Sequence, residues 1–262
     1  MTDTLTPSLP EVRPGARAWL AMTAAEAKVV ARDTAGLIVP LGMPTLILVM
    51  NGISFDTDVV IPGTGGRTAL DIFVLPITLA FVVAMVGVVN MPSFLAAYRR
   101  TGILRRLGVT PASPVMVLVA QAVVGIVQIL LGLVLTLGVA WVAFGAHPPV
   151  DGWTAVAVLA LTVAAMYGVG MLVAAIAPTP QSAVAIGLVA FFAMAALGGM
   201  FGPRDNLPEP LADVGGMLPF GAAVDALGAA WAGDVVPLSA VAGLAVATVV
   251  SSALAALWFR WE

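Results

Sequence analysis

The chain has 262 residues, of which 61% are hydrophobic and only 10% are charged. A soluble domain carries about 25% charged residues, so this composition indicates a membrane protein. The sequence has no cysteine, which excludes disulfides, thiolate metal sites and a cysteine nucleophile.

The first segment to have a helical pattern is residues 16–34, after a tail at 1–15 that we predict to be flexible and cytoplasmic. On a helical wheel Lys28 and Arg32 lie roughly 20° and 60° from Arg17. Apolar residues occupy the opposite side, namely Trp19, Leu20, Met22, Val29 and Val30. This pattern predicts an amphipathic helix in the inner membrane interface. Glu26 and Asp33 fall near the apolar side, which leaves open a pairing with another part of the protein. The alternative is an ordinary solvated start to the first membrane span.

Six apolar runs are long enough and uncharged enough to cross a membrane. They are approximately Leu37–Ile53, Ile72–Met91, Val115–Phe144, Trp153–Ala177, Ala183–Phe201 and Val235–Phe259. The sequence therefore predicts an all-α polytopic membrane protein, with residues 35–262 forming one domain of six transmembrane helices. Pro178 and Pro180 predict a tight turn between the fourth and fifth spans.

The basic residues are distributed unevenly between the two sets of loops. Nine of the eleven fall in the N-terminal region, the loop after the second span and the C-terminus: Arg13, Arg17, Lys28, Arg32, Arg99, Arg100, Arg105, Arg106 and Arg260. Arg67 and Arg204 lie in the other loops, together with nine acidic residues. Cytoplasmic loops are rich in Lys and Arg, so we predict that both termini are cytoplasmic.

The loop between the second and third spans contains four arginines in the sequence YRRTGILRRLGVTPASP, which begins at Tyr98. Pro92 is expected to close the second span, and Ser93 to cap a new helix that ends near Gly108. Ile103, Leu104 and Leu107 give this helix a small apolar face. The alternative is that the four arginines only set the orientation of the chain in the membrane. That alternative explains the charge, but it does not explain a capped helix with an apolar face. We therefore predict a helix at 93–108 that docks a cytoplasmic partner.

The segment at 203–234 is long for a loop and half apolar. Its helical spacings predict two short helices that dip into the outer leaflet and return before the sixth span. The alternative is a surface cap without a part in transport.

The sequence lacks the residues of several kinds of site. Its one lysine, Lys28, is not in a glycine-rich phosphate loop, so we do not expect this chain to hydrolyse ATP. The spans lack ionisable residues away from their boundaries, which argues against an ion-coupled carrier, an intramembrane protease and a lipid-modifying enzyme. His147 is interpreted as a loop residue. We predict no catalytic residue, metal ligand or cofactor on this chain.

A few amides occur within the apolar runs. Gln121 and Gln128 are seven residues apart and so share one face of the third span, while Asn51 and Asn90 lie in the first two spans. These four are candidates for lining a pathway, although hydrogen bonding between helices is the commoner use of such residues.

Three stretches resemble the membrane subunit of ABC-2-type exporters, particularly the drug-resistance-like permeases. They are TAAEAKVVARDTAGLIVPLGMP from Thr23, YRRTGILRRLGVTPAS from Tyr98 and LPEPLADVGGMLPFGAAVDALGAAWAGD from Leu207. The order of elements also resembles this family from about Ala24 to the end of the chain. One departure is Tyr98, where many members carry an acidic residue about four positions before the glycine at Gly102.

The resemblance implies that two permease subunits pair around a pathway in the plasma membrane. Each would rest on a separate nucleotide-binding ATPase, which would hold the ATP and magnesium. The residues expected to couple the permease to that ATPase are Arg99, Arg100, Gly102, Leu104, Arg105, Arg106 and Leu107. Arg17, Glu26, Lys28 and Arg32 of the interfacial helix would contribute to the same surface.

Substrates of the family include drugs, antibiotics, lipids and lipid-linked glycans, and uncharged spans favour a hydrophobic or amphipathic one. Two other functions remain open from the sequence. One is a carrier driven by an ion gradient, and the other is a membrane scaffold or sensor subunit that transports nothing.

Overall fold

The computed structural model describes residues 15–54, 59–102 and 114–258. Regular structure in these ranges is helical, apart from one bridge between Val60 and Thr68. The helices are α1 (Ala16–Arg32), α2 (Thr34–Ser54), α3 (Leu70–Arg100), α4 (Pro114–Phe144), α5 (Gly152–Ile176), α6 (Pro180–Leu197), α7 (Glu209–Met217), α8 (Pro219–Ala232) and α9 (Leu238–Trp258). The fold class predicted from the sequence is confirmed.

Six of these helices are long and apolar enough to cross a membrane: α2, α3, α4, α5, α6 and α9. They correspond one to one with the six apolar runs of the sequence, and the largest differences are at helix ends. The bundle has a basic end, where α1, Arg99 and the α5–α6 turn lie, and an acidic end, where Asp71, His147, α7 and α8 lie.

The predicted break between the second span and a separate helix at Ser93 is wrong. α3 continues through Pro92 and Ser93 as far as Arg100. Proline removes one backbone donor from a helix. Here a π-helical segment, Met85–Asn90, ends just before it, so the hydrogen-bonding pattern already changes at this point. The Ser93 hydroxyl donates to the Asn90 carbonyl at 2.7 Å, whereas an N-cap oxygen would accept from a backbone N–H.

The other end of the predicted helix at 93–108 lies outside the described residues, because the described part of this loop ends at Gly102. The predicted tail at 1–15 also lies outside them, except for Gly15. Leu104, Arg105, Arg106 and Leu107 lie outside the described residues as well.

The centre of the bundle depends on close backbone approach between α3, α5 and α6. A Cβ atom added to Gly170 of α5 would lie 1.9 Å from the Gly87 carbonyl oxygen. A Cβ added to Gly187 of α6 would lie 2.4 Å from the Val88 carbonyl oxygen. Both contacts fall on the π-helical segment of α3, so glycine is required at these positions for three spans to meet there.

The segment at 203–234 contains two short helices, α7 and α8, where the helical spacings predict them. Their dip into the outer leaflet stays a prediction. α7 and α8 are joined at Leu218 with a bend of 78°. α8 is buried among the spans: its Phe220 ring lies 5.9 Å from Phe191 of α6, which stacks on Phe81 of α3 at 4.7 Å. α7 instead leaves the side chains of Leu211, Val214 and Met217 exposed. Phe220 thus extends an aromatic cluster formed by two spans, and this packing makes α8 part of the core.

Candidate functional site

The basic end of α3 contacts α1 through a pair of buried polar side chains. The Tyr98 hydroxyl donates a hydrogen bond to Glu26 Oε2 at 2.5 Å, and the two residues are only 8% and 6% exposed. Burial raises the pKa of the Glu26 carboxyl above its ordinary value, and the bond from Tyr98 opposes that rise. A buried carboxyl group requires a hydrogen-bond partner, and Tyr98 provides it. This partner explains how an acidic residue can lie on the apolar side of α1.

The next residue along α3 contacts a different helix. The partly buried Arg99 guanidinium donates from Nη1 to the Ala175 carbonyl at 3.4 Å and from Nη2 to the Ala177 carbonyl. These carbonyls lie at the C-terminal end of α5, where a helix leaves acceptors without partners of their own. A cation at a helix C-terminus stabilises it by about 0.3–1 kcal/mol, since the helix dipole is negative there.

The end of α3 turns away at Thr101 and Gly102. The Thr101 and Gly102 backbone N–H groups donate to Ala97 and Arg99 carbonyls, and Gly102 has a φ of +68°. A residue with a side chain would be strained in that conformation, so glycine suits the turn. Arg100 is exposed at the same end. The structure thus separates the two adjacent arginines into one that binds α5 and one that faces outward.

The basic face predicted for α1 is exposed. Arg17, Lys28 and Arg32 lie on it, while Val30 and Glu26 are buried against α3 and α4. Leu20 and Val29, which the wheel placed on the apolar side, remain 71% and 44% exposed. The buried face of α1 therefore packs on protein, and the exposed face combines three cations with two flanking apolar residues.

Two of the predicted pathway candidates bind each other. Asn90 of α3 donates to Gln128 Oε1 at 3.0 Å, and both amides donate to the Gly36 carbonyl of α2, at 2.9 Å from Asn90 and 2.6 Å from Gln128. Asn90 and Gln128 are 8% and 3% exposed. Such amides join helices within a membrane, with an average of about 0.6 kcal/mol for each hydrogen bond. These contacts support the interhelical use of the two residues.

The other two candidates lie elsewhere. Gln121 is buried one turn before Gly125, whose backbone is in close contact with the Tyr167 hydroxyl of α5. Asn51 lies near the acidic end and donates at 2.8 Å to the Ile47 carbonyl of its own helix. The structure therefore does not bring the four amides together at one site.

A comparison of the sequence with models of protein families identifies the family of this chain. A family model for ABC-2 type transporters matches residues 17–230. The chain belongs to the ABC-2 type transporter family. The match covers α1 to α8, so it includes the N-terminal helix, five of the six spans and the bent helix pair. No curated protein matches the chain.

Membership makes this chain a permease component of a transporter. An ABC-2 membrane domain is the membrane component of a transporter and is not itself catalytic. The family resemblance inferred from the sequence is confirmed. The individual coupling residues remain predictions, and Arg99 is held by α5.

A further set of contacts at the acidic end of the permease was not recognised from the sequence. Asp71 is fully buried and accepts hydrogen bonds from the Thr68 backbone at 3.0 Å and the Thr68 hydroxyl at 3.1 Å. The His147 backbone also donates to it at 2.8 Å, and the His147 ring nitrogen Nδ1 lies 2.9 Å from Asp71 Oδ2. The Trp231 indole donates to the His147 carbonyl at 3.1 Å.

These contacts tie the start of α3 and the α4–α5 loop to α8. The only sequence signal was an acidic residue at the start of an apolar run, together with the single histidine of the chain. Neither residue indicates the other, because they are 76 positions apart.

Proposed function

We propose that this chain is the permease subunit of an ATP-driven exporter in the plasma membrane, with both termini in the cytoplasm. A separate nucleotide-binding ATPase binds at the basic end through the segment that follows α3. Two permease copies pair around the pathway, as the family resemblance implies. The ATP and magnesium belong to the partner ATPase.

The observation that carries this proposal is the continuity of α3. Its residues from Leu75 to Leu95 are buried almost throughout, and the same helix runs on to Arg100 at the basic end. A force applied next to Arg100 therefore acts on the most buried helix of the bundle without an intervening hinge loop. Cytoplasmic loops are rich in Lys and Arg, so the basic residues that follow face a cytoplasmic partner.

The substrate class follows from the composition of the spans. Within the described spans, charged side chains occur only at helix ends, as in Asp71 and Arg99. A pathway lined by such helices favours a hydrophobic or amphipathic substrate, such as a drug, an antibiotic or a lipid, over a highly charged polymer.

The proposal is tested with a double variant, Arg105→Glu with Arg106→Glu. Charge reversal on the docking segment is expected to detach or uncouple the ATPase while membrane insertion remains intact. Both variant and parent are purified from native membranes, and the co-purified ATPase, ATP hydrolysis and export are measured. The matched control, Arg105→Lys with Arg106→Lys, keeps the charge and should retain most of each activity.

Unchanged ATPase binding, hydrolysis and export in the double Glu variant would remove the coupling role from this segment. Insertion is checked separately by labelling both termini, because charge reversal also affects membrane orientation. A parent chain that purifies without an ATPase and transports under an ion gradient alone would establish a secondary carrier instead. A chain that purifies alone and transports under neither condition would support a scaffold or sensor subunit.

A further inference from the structure

Two adjacent residues at the basic end of α3 bind two different helices. Tyr98 donates to Glu26 of α1, and Arg99 donates to the carbonyls of Ala175 and Ala177 at the end of α5. Successive residues on a helix point about 100° apart, so neighbours naturally reach separate partners. The third residue of this run, Arg100, is exposed.

The contact with α5 is supported by close packing around it. Ala96 of α3 is buried in a cluster with Ala177 and with Ala183 of α6. Small side chains at these three positions let the end of α3 approach the α5–α6 turn closely. The Arg99 guanidinium then reaches carbonyls that the end of α5 leaves without helical partners. Packing and hydrogen bonding thus act at the same place.

The contact with α1 is similarly enclosed. Tyr98 packs in a cluster with Val30 of α1 and Val117 of α4, and its hydroxyl group reaches the buried Glu26 carboxyl. This cluster is separate from the alanine cluster around Ala96. The end of α3 is therefore held on two sides by two independent groups of residues.

We propose that Tyr98 and Arg99 are positioning residues that transmit a displacement of the segment that follows α3 to α1 and to α5 together. The proposal rests on the proposed function, since it requires an ATPase that moves this segment. Arg99 then acts within the permease by holding the end of α5, and contact with the ATPase is left to residues beyond it. Loss of either contact would let the segment move without carrying the corresponding helix with it.

The test uses the complete permease–ATPase complex and three variants. Arg99→Met removes the charge and the donors while keeping the length of the side chain. Arg67→Met is the matched control, because it makes the same change at a half-buried arginine of the opposite end of the bundle. Arg99→Lys is the conservative variant that retains a cation able to cap the carbonyls. For each complex we would measure the bound ATPase, the rate of ATP hydrolysis and the substrate exported per ATP.

Arg99→Met is expected to bind the ATPase and hydrolyse ATP as the parent does, with export per ATP lowered about tenfold, a typical size for coupling between sites. Arg99→Lys should recover most of that loss, and Arg67→Met should keep the parent's ratio of export to ATP hydrolysis. An unchanged ratio in Arg99→Met would overturn the proposal. So would loss of ATPase binding in that variant, because Arg99 would then be a docking residue.

The absence of native cysteine permits a rescue experiment. Cysteines introduced as Ala96→Cys and Ala177→Cys, at two positions of one buried cluster, can be joined directly as a disulfide crosslink by oxidation in the Arg99→Met background. Restored export per ATP is expected, because the crosslink replaces the lost contact. Failure of the formed crosslink to restore export would contradict the proposal.

Tyr98→Phe provides a second variant should Arg99→Met fail to fold. It removes one hydroxyl group and should lower export per ATP while ATPase binding persists. An unchanged export per ATP in Tyr98→Phe would contradict the role of Tyr98 in moving α1. If the parent chain binds no ATPase, the proposed function fails. If the parent couples and Arg99→Met couples equally, only the positioning role fails.

Discussion

The two ends of α3 are held by different kinds of contact. At the acidic end, Asp71 accepts backbone and side-chain hydrogen bonds from both Thr68 and His147, so one buried carboxylate joins two loops. At the basic end, Tyr98 and Arg99 each bind a different helix. Several hydrogen bonds to one buried carboxylate favour a fixed anchor of α3 at the acidic end. Separate contacts with two helices allow the basic end of α3 to move together with α1 and α5.

The largest expected effect is at the acidic end. Asp71→Ala would leave the Thr68 and His147 backbone N–H groups without their acceptor, and should lower the free energy of unfolding by about 3 kcal/mol. Thermal and denaturant unfolding of the detergent-solubilised protein would measure this. Asp205→Ala, at an exposed carboxylate of the same end, is the matched control and should change stability by less than about 0.5 kcal/mol. Equal losses of stability in the two variants would contradict the role of Asp71 as a fixed anchor of α3.

At the basic end, Tyr98→Phe should lower the free energy of unfolding by about 2 kcal/mol, because the buried Glu26 carboxyl loses its donor. Hydrogen exchange of the α1 backbone amides would locate the loss in α1. The effect should shrink when Tyr98→Phe is made in a Glu26→Gln background. A loss of the same size in both backgrounds would mean that the hydroxyl group acts through some other partner.

The Glu26 carboxyl should also make the docking of α1 sensitive to pH. Burial raises its pKa in the folded protein, so the folded state holds the proton to a higher pH than the unfolded state does. The stabilisation that comes from the protonated Glu26 carboxyl is therefore complete below the ordinary carboxyl pKa of 4.5. It is lost as the pH rises through the higher pKa of this group in the folded protein. Glu26→Gln should remove this part of the pH dependence. Unfolding curves from pH 4 upward, compared with those of the parent, would test it.

The smallest effect is expected for the ion pair between Arg204 and Asp225, which lies between the 3₁₀ turn at Arg204–Asn206 and α8. The two side chains are 23% and 29% exposed. Arg204→Met should therefore cost at most about 1 kcal/mol, and less in high salt. Melting temperatures at low and high salt would measure it. A loss as large as that of Asp71→Ala would show that this pair is also part of the anchor.

The contacts at the basic end differ in how far the sequence could predict them. An acidic residue on the apolar side of α1 indicated a need for a partner, and the structure supplies Tyr98. The bond from Arg99 to α5 had no such signal, because its acceptors are backbone carbonyls that every residue carries. The break expected at Pro92 was wrong, since a π-helical segment accommodates the proline within α3.

The glycines are a further case in which the sequence was insufficient. The chain contains 27, so pairs with helical spacing are too common to indicate a helix contact. Only the structure identifies Gly170 and Gly187 as positions where a side chain would collide with the backbone of α3. Close approach depends on where two helices cross, and that crossing involves residues distant along the chain.

The membrane class, the six spans, α1 and the helix pair before the last span could all be predicted from the amino-acid sequence. These properties follow from hydropathy, charge and helical periodicity, which are local along the chain. The tertiary structure decided that α8 is buried, that α3 continues to Arg100, and which partners Asp71, Tyr98 and Arg99 bind. Such contacts depend on helices that meet across long sequence separations, so no local pattern can specify them.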